Sequence, residues 1–342
     1  MAETLPSITG TTAAIAPVGV AEPTRRRRLP SLGVGFGVLW LATLVILTVF
    51  AGNLPFVRLP TQAVNGASNY ALGPSSDFWF GSDRLGRDVF ARCVYGARIS
   101  LIIAVSSIVV GLLVGTALGM ICGYFRGWID RFISVFVDAL LAFPAIIFAA
   151  LLVGRAKALR QSEIEVLGFG FGWFNNTWAI SAVFSLLAIA PITRIVRAQT
   201  LSLSQREYVL AARSLGARTP RVLLREILPN VVPALVSVMF TGVAILLAAE
   251  AGLAFLGYSV EPPKASWGLM VTENREFIEE AWWATLFPCV MLFLTVLSFN
   301  LIGDRVARRF DVREAALWGA DSPARERQRA DGRWGVGAQP PR

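Results

Sequence analysis

The chain has 342 residues, of which 55% are hydrophobic and only 16% charged, and its formal net charge is +9. An ordinary soluble domain carries about 25% charged residues, so this composition is that of an integral membrane protein and excludes extensive disorder or a disulfide-stapled fold. Histidine is absent, which removes Ser-His-Asp, Cys-His and His-metal chemistry.

Cys93, Cys122 and Cys289 are far apart and form no C-x-x-C pair. The two lysines, Lys157 after Ala156 and Lys264 after Pro263, lack the Gly-Lys-Ser/Thr setting of a phosphate loop, so any ATP use must come from another chain. All other basic residues are arginine, and no basic patch is interleaved with aromatics. That pattern fits a cytoplasmic membrane face and argues against nucleic acid as a partner.

Six stretches meet the roughly 20 apolar residues needed to cross a bilayer, which makes the expected fold all-α with six transmembrane helices. The first runs from Ser31 to about Leu54; its length and long preceding tail favour a retained span over a cleaved signal. The second is the uncharged run Ile99–Phe125, where Gly111, Gly115 and Gly119 form a small-xxx-small stripe for close helix packing. The third is Phe132–Val153, interrupted by Asp138. The fourth starts at about Asn176, the fifth runs from near Ile227 to Glu250, and the sixth is Ala281–Gly303.

Twenty-two of the 32 basic residues fall on the side that holds both termini and the second–third and fourth–fifth loops. That side is expected to be cytoplasmic. The opposite loop, Ser259–Glu280, is acidic through Glu261, Glu273, Glu276, Glu279 and Glu280. The expected organisation is a flexible tail at 1–30, a first span with an extracytoplasmic loop over 31–98, a core of 99–303 with a loop at 204–229, and a cytoplasmic tail at 304–342.

Two acids interrupt the apolar runs, and charge at membrane depth marks a pair or a pathway. Asp138 lies about 12 Å along the helix from Asp130 at 1.5 Å per residue, near the cytoplasmic end, and is expected to pair with Arg194 or Arg197. Glu250 has two readings, a locally capping interfacial residue or part of an external gate or docking surface.

The fourth–fifth loop carries the most information. Glu207–Leu215 suits a short helix with Ala211 and Ala212 as strong helix formers, and Gly216 sits where a left-handed residue ends it. A second helix is expected to lead into Pro229. On composition alone, a docking element for a soluble partner and an amphipathic membrane-surface helix both fit.

Leu210-Ala211-Ala212-x-x-x-Gly216 followed by Leu228-Pro229 resembles the EAA loop of ABC importer permeases, with Leu210 standing where that family has glutamate. The stretch from Gly81-Ser82-Asp83 through Gly86-Arg87-Asp88 to Tyr95-Gly96-Ala97-Arg98 resembles the signature of the C-type subunits of dipeptide/oligopeptide/nickel permeases, departing at Ser82 and Ala91. Glu250-Ala-Gly through Gly257, Pro262-Pro263 and Ser266-Trp267-Gly268 resembles that family's EAGLSFLG…PP…SWG segment. Phe299-Asn-Leu-Ile-Gly303-Asp304 with Asp311-Val312-Arg313 resembles its ending, with Val312 for proline.

The resemblance implies a type I ABC importer permease fold with both termini cytoplasmic and a coupling helix set in a groove on an ATPase. Carried over by position, Glu207, Tyr208, Ala211, Ala212, Arg213 and Gly216 are the expected ATPase-coupling residues, and Asp138 and Glu250 the intramembrane charges. The implied partners are a homologous permease, two ATP-binding subunits holding ATP and Mg, and an extracytoplasmic solute-binding protein delivering peptides or similar solutes. This chain is expected to hold no catalytic residue, metal or cofactor. The rival reading, an ion-coupled secondary transporter, calls for more central ionisable residues and an internal repeat.

Overall fold

The computed structural model describes residues 32–60, 70–161 and 176–319; the tails expected at 1–30 and beyond Gly319 lie outside them. The described residues form helices and loops without a β-sheet. Five helical spans are long and apolar enough to cross a membrane: Leu32–Phe50, Val89–Phe125, Asn176–Leu203, Thr219–Phe255 and Trp282–Arg309. A sixth, Gly127–Ala142 with Ala145–Ala158, qualifies only as a bent pair.

Helix α1 (Leu32–Phe50) packs on the last described helix, α10 (Trp282–Gly319); Trp40 Nε1 donates to Thr295 Oγ1 at 3.1 Å. Helix α2 (Val89–Phe125) begins well before the uncharged run at Ile99. The apolar pattern misplaced that start because it reads Arg92 and Arg98 as interruptions. In the fold Arg92 is 1% exposed and its charge is matched internally. Asp88 caps α2, its Oδ1 accepting from the backbone N–H groups of Phe90 (2.9 Å) and Ala91 (3.4 Å).

The expected third span is not one straight helix. It is α3 (Gly127–Ala142) and α4 (Ala145–Gln161), meeting at 93°. Pro144 supplies no N–H, and its ring drives the preceding residue out of the helical region; Phe143 has ψ 139°. Helix α5 (Asn176–Leu203) forms the expected fourth span.

The α2–α5 contact is the closest in the bundle. Gly111, Gly115, Gly119 and, one turn further, Gly123 lie against Ala188, Ile192, Val196 and Thr200. A methyl group at those glycines would come within 2.7, 2.9, 2.6 and 2.7 Å of α5 atoms, so the stripe is a helix-packing device.

After the short α6 (Glu207–Ser214) and α7 (Thr219–Arg221), a π-helical turn over Val222–Ile227 runs into α8 (Leu228–Phe255). Helix α9 (Trp267–Asn274) and a 3₁₀ turn (Arg275–Phe277) precede α10 (Trp282–Gly319). The sixth apolar run was expected to end at Gly303, but α10 continues to Gly319. Its arginines end the apolar stretch without ending the helix, because arginine is a good helix former. The core is built from Ile103, Ile180, Phe184, Ile192, Leu247 and Trp267, every one at most 2% exposed.

Candidate functional site

Helix α6 stands outside the spans, and its sequence explains both of its ends. Glu207 in the first turn and Arg213 in the last complement the helix dipole. Gly216 has φ +82° and open space around it. The Gly216 N–H donates to the Arg213 carbonyl at 2.9 Å and the Ala217 N–H to the Ala212 carbonyl at 3.0 Å. That pair of bonds is a Schellman ending, and it explains the Ala212-to-Gly216 spacing: the glycine has to occupy the left-handed position.

Three contacts hold α6 to the spans. Val209 is fully buried. The Arg213 guanidinium lies over the Tyr124 ring of α2, 4.4 Å from its centre. Asn230 Nδ2 of α8 lies 3.4 Å from the Tyr208 hydroxyl and donates to the Glu226 carbonyl at 2.7 Å. Partial burial lifts the Tyr208 phenol above its usual range, so it stays neutral at physiological pH.

Most of α6 is nonetheless solvent-exposed. Glu207, Tyr208, Leu210, Ala211, Arg213 and Gly216 are exposed, with Ala212 half-buried. Leu215 is 89% exposed. The fold therefore gathers the six expected coupling residues on one projecting helix and its cap.

The intramembrane charges lie elsewhere. Asp138 pairs with Arg194, one of its two expected partners. Arg197 instead binds Asp130, with Arg197 Nη2 to Asp130 Oδ2 at 2.7 Å. These two pairs form rungs between α3 and α5.

Glu250 is 1% exposed and pairs locally, which fits the local-pairing reading and not a docking surface. Its carboxylate accepts from Ser266 Oγ (2.7 Å), Ser259 Oγ (3.3 Å) and Ser100 Oγ (3.3 Å). It thereby joins α2, α8 and the segment entering α9. Sequence reasoning placed it near the outer end of the fifth span but did not name its partners, one of which, Ser100, is 150 residues away.

Sequence reasoning also missed a buried ion network in the Gly81–Arg98 motif. Asp83 Oδ2 accepts from Arg87 Nε and Arg92 Nη1, each at 2.7 Å. Glu273 Oε2 accepts from Arg87 Nη2 at 3.1 Å and Arg92 Nη2 at 2.8 Å. Trp267 Nε1 donates to the Cys93 carbonyl and Trp283 Nε1 to the Ser82 carbonyl, both at 3.0 Å. The Gly81–Arg98 and Glu250–Gly268 motifs are thus locked together, with Glu273 and Trp283 added to the same unit.

Comparison with known proteins gives the family. Residues 115–314 match the family described as binding-protein-dependent transport system inner membrane component. The chain is 34% identical over 275 residues to the dipeptide transport system permease protein of Alkalihalophilus pseudofirmus, covering 80% of this chain and 84% of that one. It is 39% identical over 289 residues to the glutathione transport system permease protein of Salmonella typhimurium, covering 84% and 87%. A crystal structure of an amino acid ABC transporter aligns over 64% of this chain and 94% of that one, at 15% identity and a TM-score of 0.48. The chain therefore belongs to the family of binding-protein-dependent transport system inner membrane components: it is a multi-pass permease subunit of an ABC importer in the bacterial cytoplasmic membrane, and a transport subunit, not an enzyme.

Proposed function

We propose that this chain is one of two homologous permeases in an importer of di- or oligopeptides or similar small solutes, and that α6 is its coupling helix. A solute-binding protein delivers the solute on the outer side. Two partner subunits bind ATP with Mg and close together, and both termini of this chain lie on their side of the membrane. Their closure displaces α6, which passes the motion to α2 through Arg213–Tyr124 and to α8 through Tyr208–Asn230. For ATP and solute to drive alternating access, each must bind the two states with different affinity. Glu207, Tyr208, Ala211, Ala212, Arg213 and Gly216 form the coupling surface. The peptide reading draws on the two relatives named for dipeptide and glutathione transport.

The observation that carries the proposal is the exposed, doubly tethered α6 ending at a glycine with φ +82°. The test is Gly216→Val in the complete complex reconstituted in liposomes. A β-branched residue in the left-handed region is strained, so ATP hydrolysis persists while ATP-driven uptake falls, with membrane insertion unchanged. Uptake at the unsubstituted rate contradicts the role given to α6.

A further inference from the structure

Between α6 and the span α8 the chain does not follow an ordinary α-helix. Over Val222–Ile227 it winds as a π-helix, and the Leu228 N–H reaches back five residues to the Leu223 carbonyl. Such turns are rare and concentrate at functional sites. The sequence supplies a cause. Pro229 has no N–H to donate to the Arg225 carbonyl, and its ring clashes with that carbonyl in a regular helix. Opening the turn by one residue relieves the clash.

A second observation shows what the wide turn does for packing. Val222, Ile227 and Val231 are all 0% exposed. At 100° per residue, a regular helix would set Val222 and Ile227 about 140° apart. The wider turn draws both to the buried face and keeps Val231, one regular turn beyond Ile227, in line. The turn is also tied to α6: Asn230, directly after Pro229, reaches the Tyr208 hydroxyl, and its amide occupies the Glu226 carbonyl within the turn.

We infer that Pro229 is a positioning residue for energy coupling: it holds open the wide turn at Val222–Ile227, and that turn sets the rotation at which α6 is joined to α8. The inference rests on the coupling role proposed for α6. A displacement of α6 pulls on Asn230 and is delivered to α8 as rotation about this turn. A regular helix would present the same residues at a different angle to α6.

The experiment uses the complete complex in liposomes and its solute-binding protein carrying its co-purified ligand. The readout is the fold stimulation of ATP hydrolysis by that protein. Pro229→Ala restores the N–H and removes the ring, so on helix propensity alone the variant folds at least as well. The expected result is basal hydrolysis within twofold of the unsubstituted complex, an unchanged or higher melting temperature, and stimulation reduced at least fivefold.

Deleting Leu224, which is 58% exposed, removes the extra residue and lets Val222 and Ile227 share a face in a regular helix. It produces the same loss, whereas Leu224→Ala leaves stimulation intact. Stimulation within twofold of the original in either Pro229→Ala or the deletion overturns the inference, as does failure of Pro229→Ala to assemble, which would make the proline structural. If the unsubstituted complex itself shows no stimulation, the coupling role of α6 fails first and the inference with it.

Discussion

The stripe of glycines on α2 supports a test with a built-in control. In Gly119→Ala the new methyl carbon would sit 2.6 Å from Val196 Cβ and 2.8 Å from the Thr193 carbonyl oxygen. Ordinary contacts there need about 3.5 Å or more, and neither obstacle is the free end of a flexible side chain. The helices must separate or shift, which costs about 1–3 kcal/mol. Alanine also improves helix propensity over glycine by about 1 kcal/mol, which hides part of that cost. Gly35→Ala on α1 receives the same propensity gain and meets nothing within 4 Å. The difference between the two variants therefore isolates the packing cost.

With about 2–4 °C per kcal/mol for a chain of this order of size, the melting midpoint of Gly119→Ala in mild detergent falls roughly 2–12 °C below that of Gly35→Ala. The midpoint is read from the folded fraction surviving heating on size-exclusion chromatography. Equal midpoints would refute the claim that close backbone approach joins α2 to α5.

Three further outcomes follow from the polar contacts. Glu250→Leu strands the hydroxyls of Ser100, Ser259 and Ser266 and costs about 1–3 kcal/mol, whereas Glu250→Gln keeps an acceptor and costs less; the order of melting midpoints checks it. Arg92→Met leaves Asp83, 1% exposed, with one cation fewer and is expected to cost about 3–5 kcal/mol, seen as loss of folded protein from the membrane fraction. Asp138 and Arg194 are 57% and 61% exposed in this chain, so a double-mutant cycle on their melting midpoints yields a coupling of only about 0.2–1 kcal/mol, weakening as salt rises.

Much of the fold was legible in the sequence where a local pattern carries the physics. Apolar runs located the spans, the fourth of them within α5. The Ala-Ala-x-x-x-Gly spacing located α6 and its left-handed cap. An acid in an apolar run pointed to Asp138 and to Arg194 or Arg197 as its partner, and the structure selects Arg194. What the sequence concealed depends on contacts between distant segments or on the geometry around proline. Arg92 looked like an interruption because one of its two acidic partners, Glu273, lies 181 residues away. The partners of Glu250 were hidden because Ser100 lies on α2 and Ser259 and Ser266 in the loop entering α9. Pro144 was visible, but an apolar run on both sides reads as a single span until the 93° bend is seen. The wide turn at Val222–Ile227 has no signature beyond Pro229 itself.

The most direct test of the central claim is photo-crosslinking from Leu215, 89% exposed at the tip of α6, with a photoreactive amino acid at that position in the complex in native membranes. The account predicts one predominant protein adduct, with an ATP-binding subunit, in a yield that changes when ATP is added. Crosslinking to lipid alone, with no ATP-binding subunit captured, would contradict the account and assign α6 to the membrane surface.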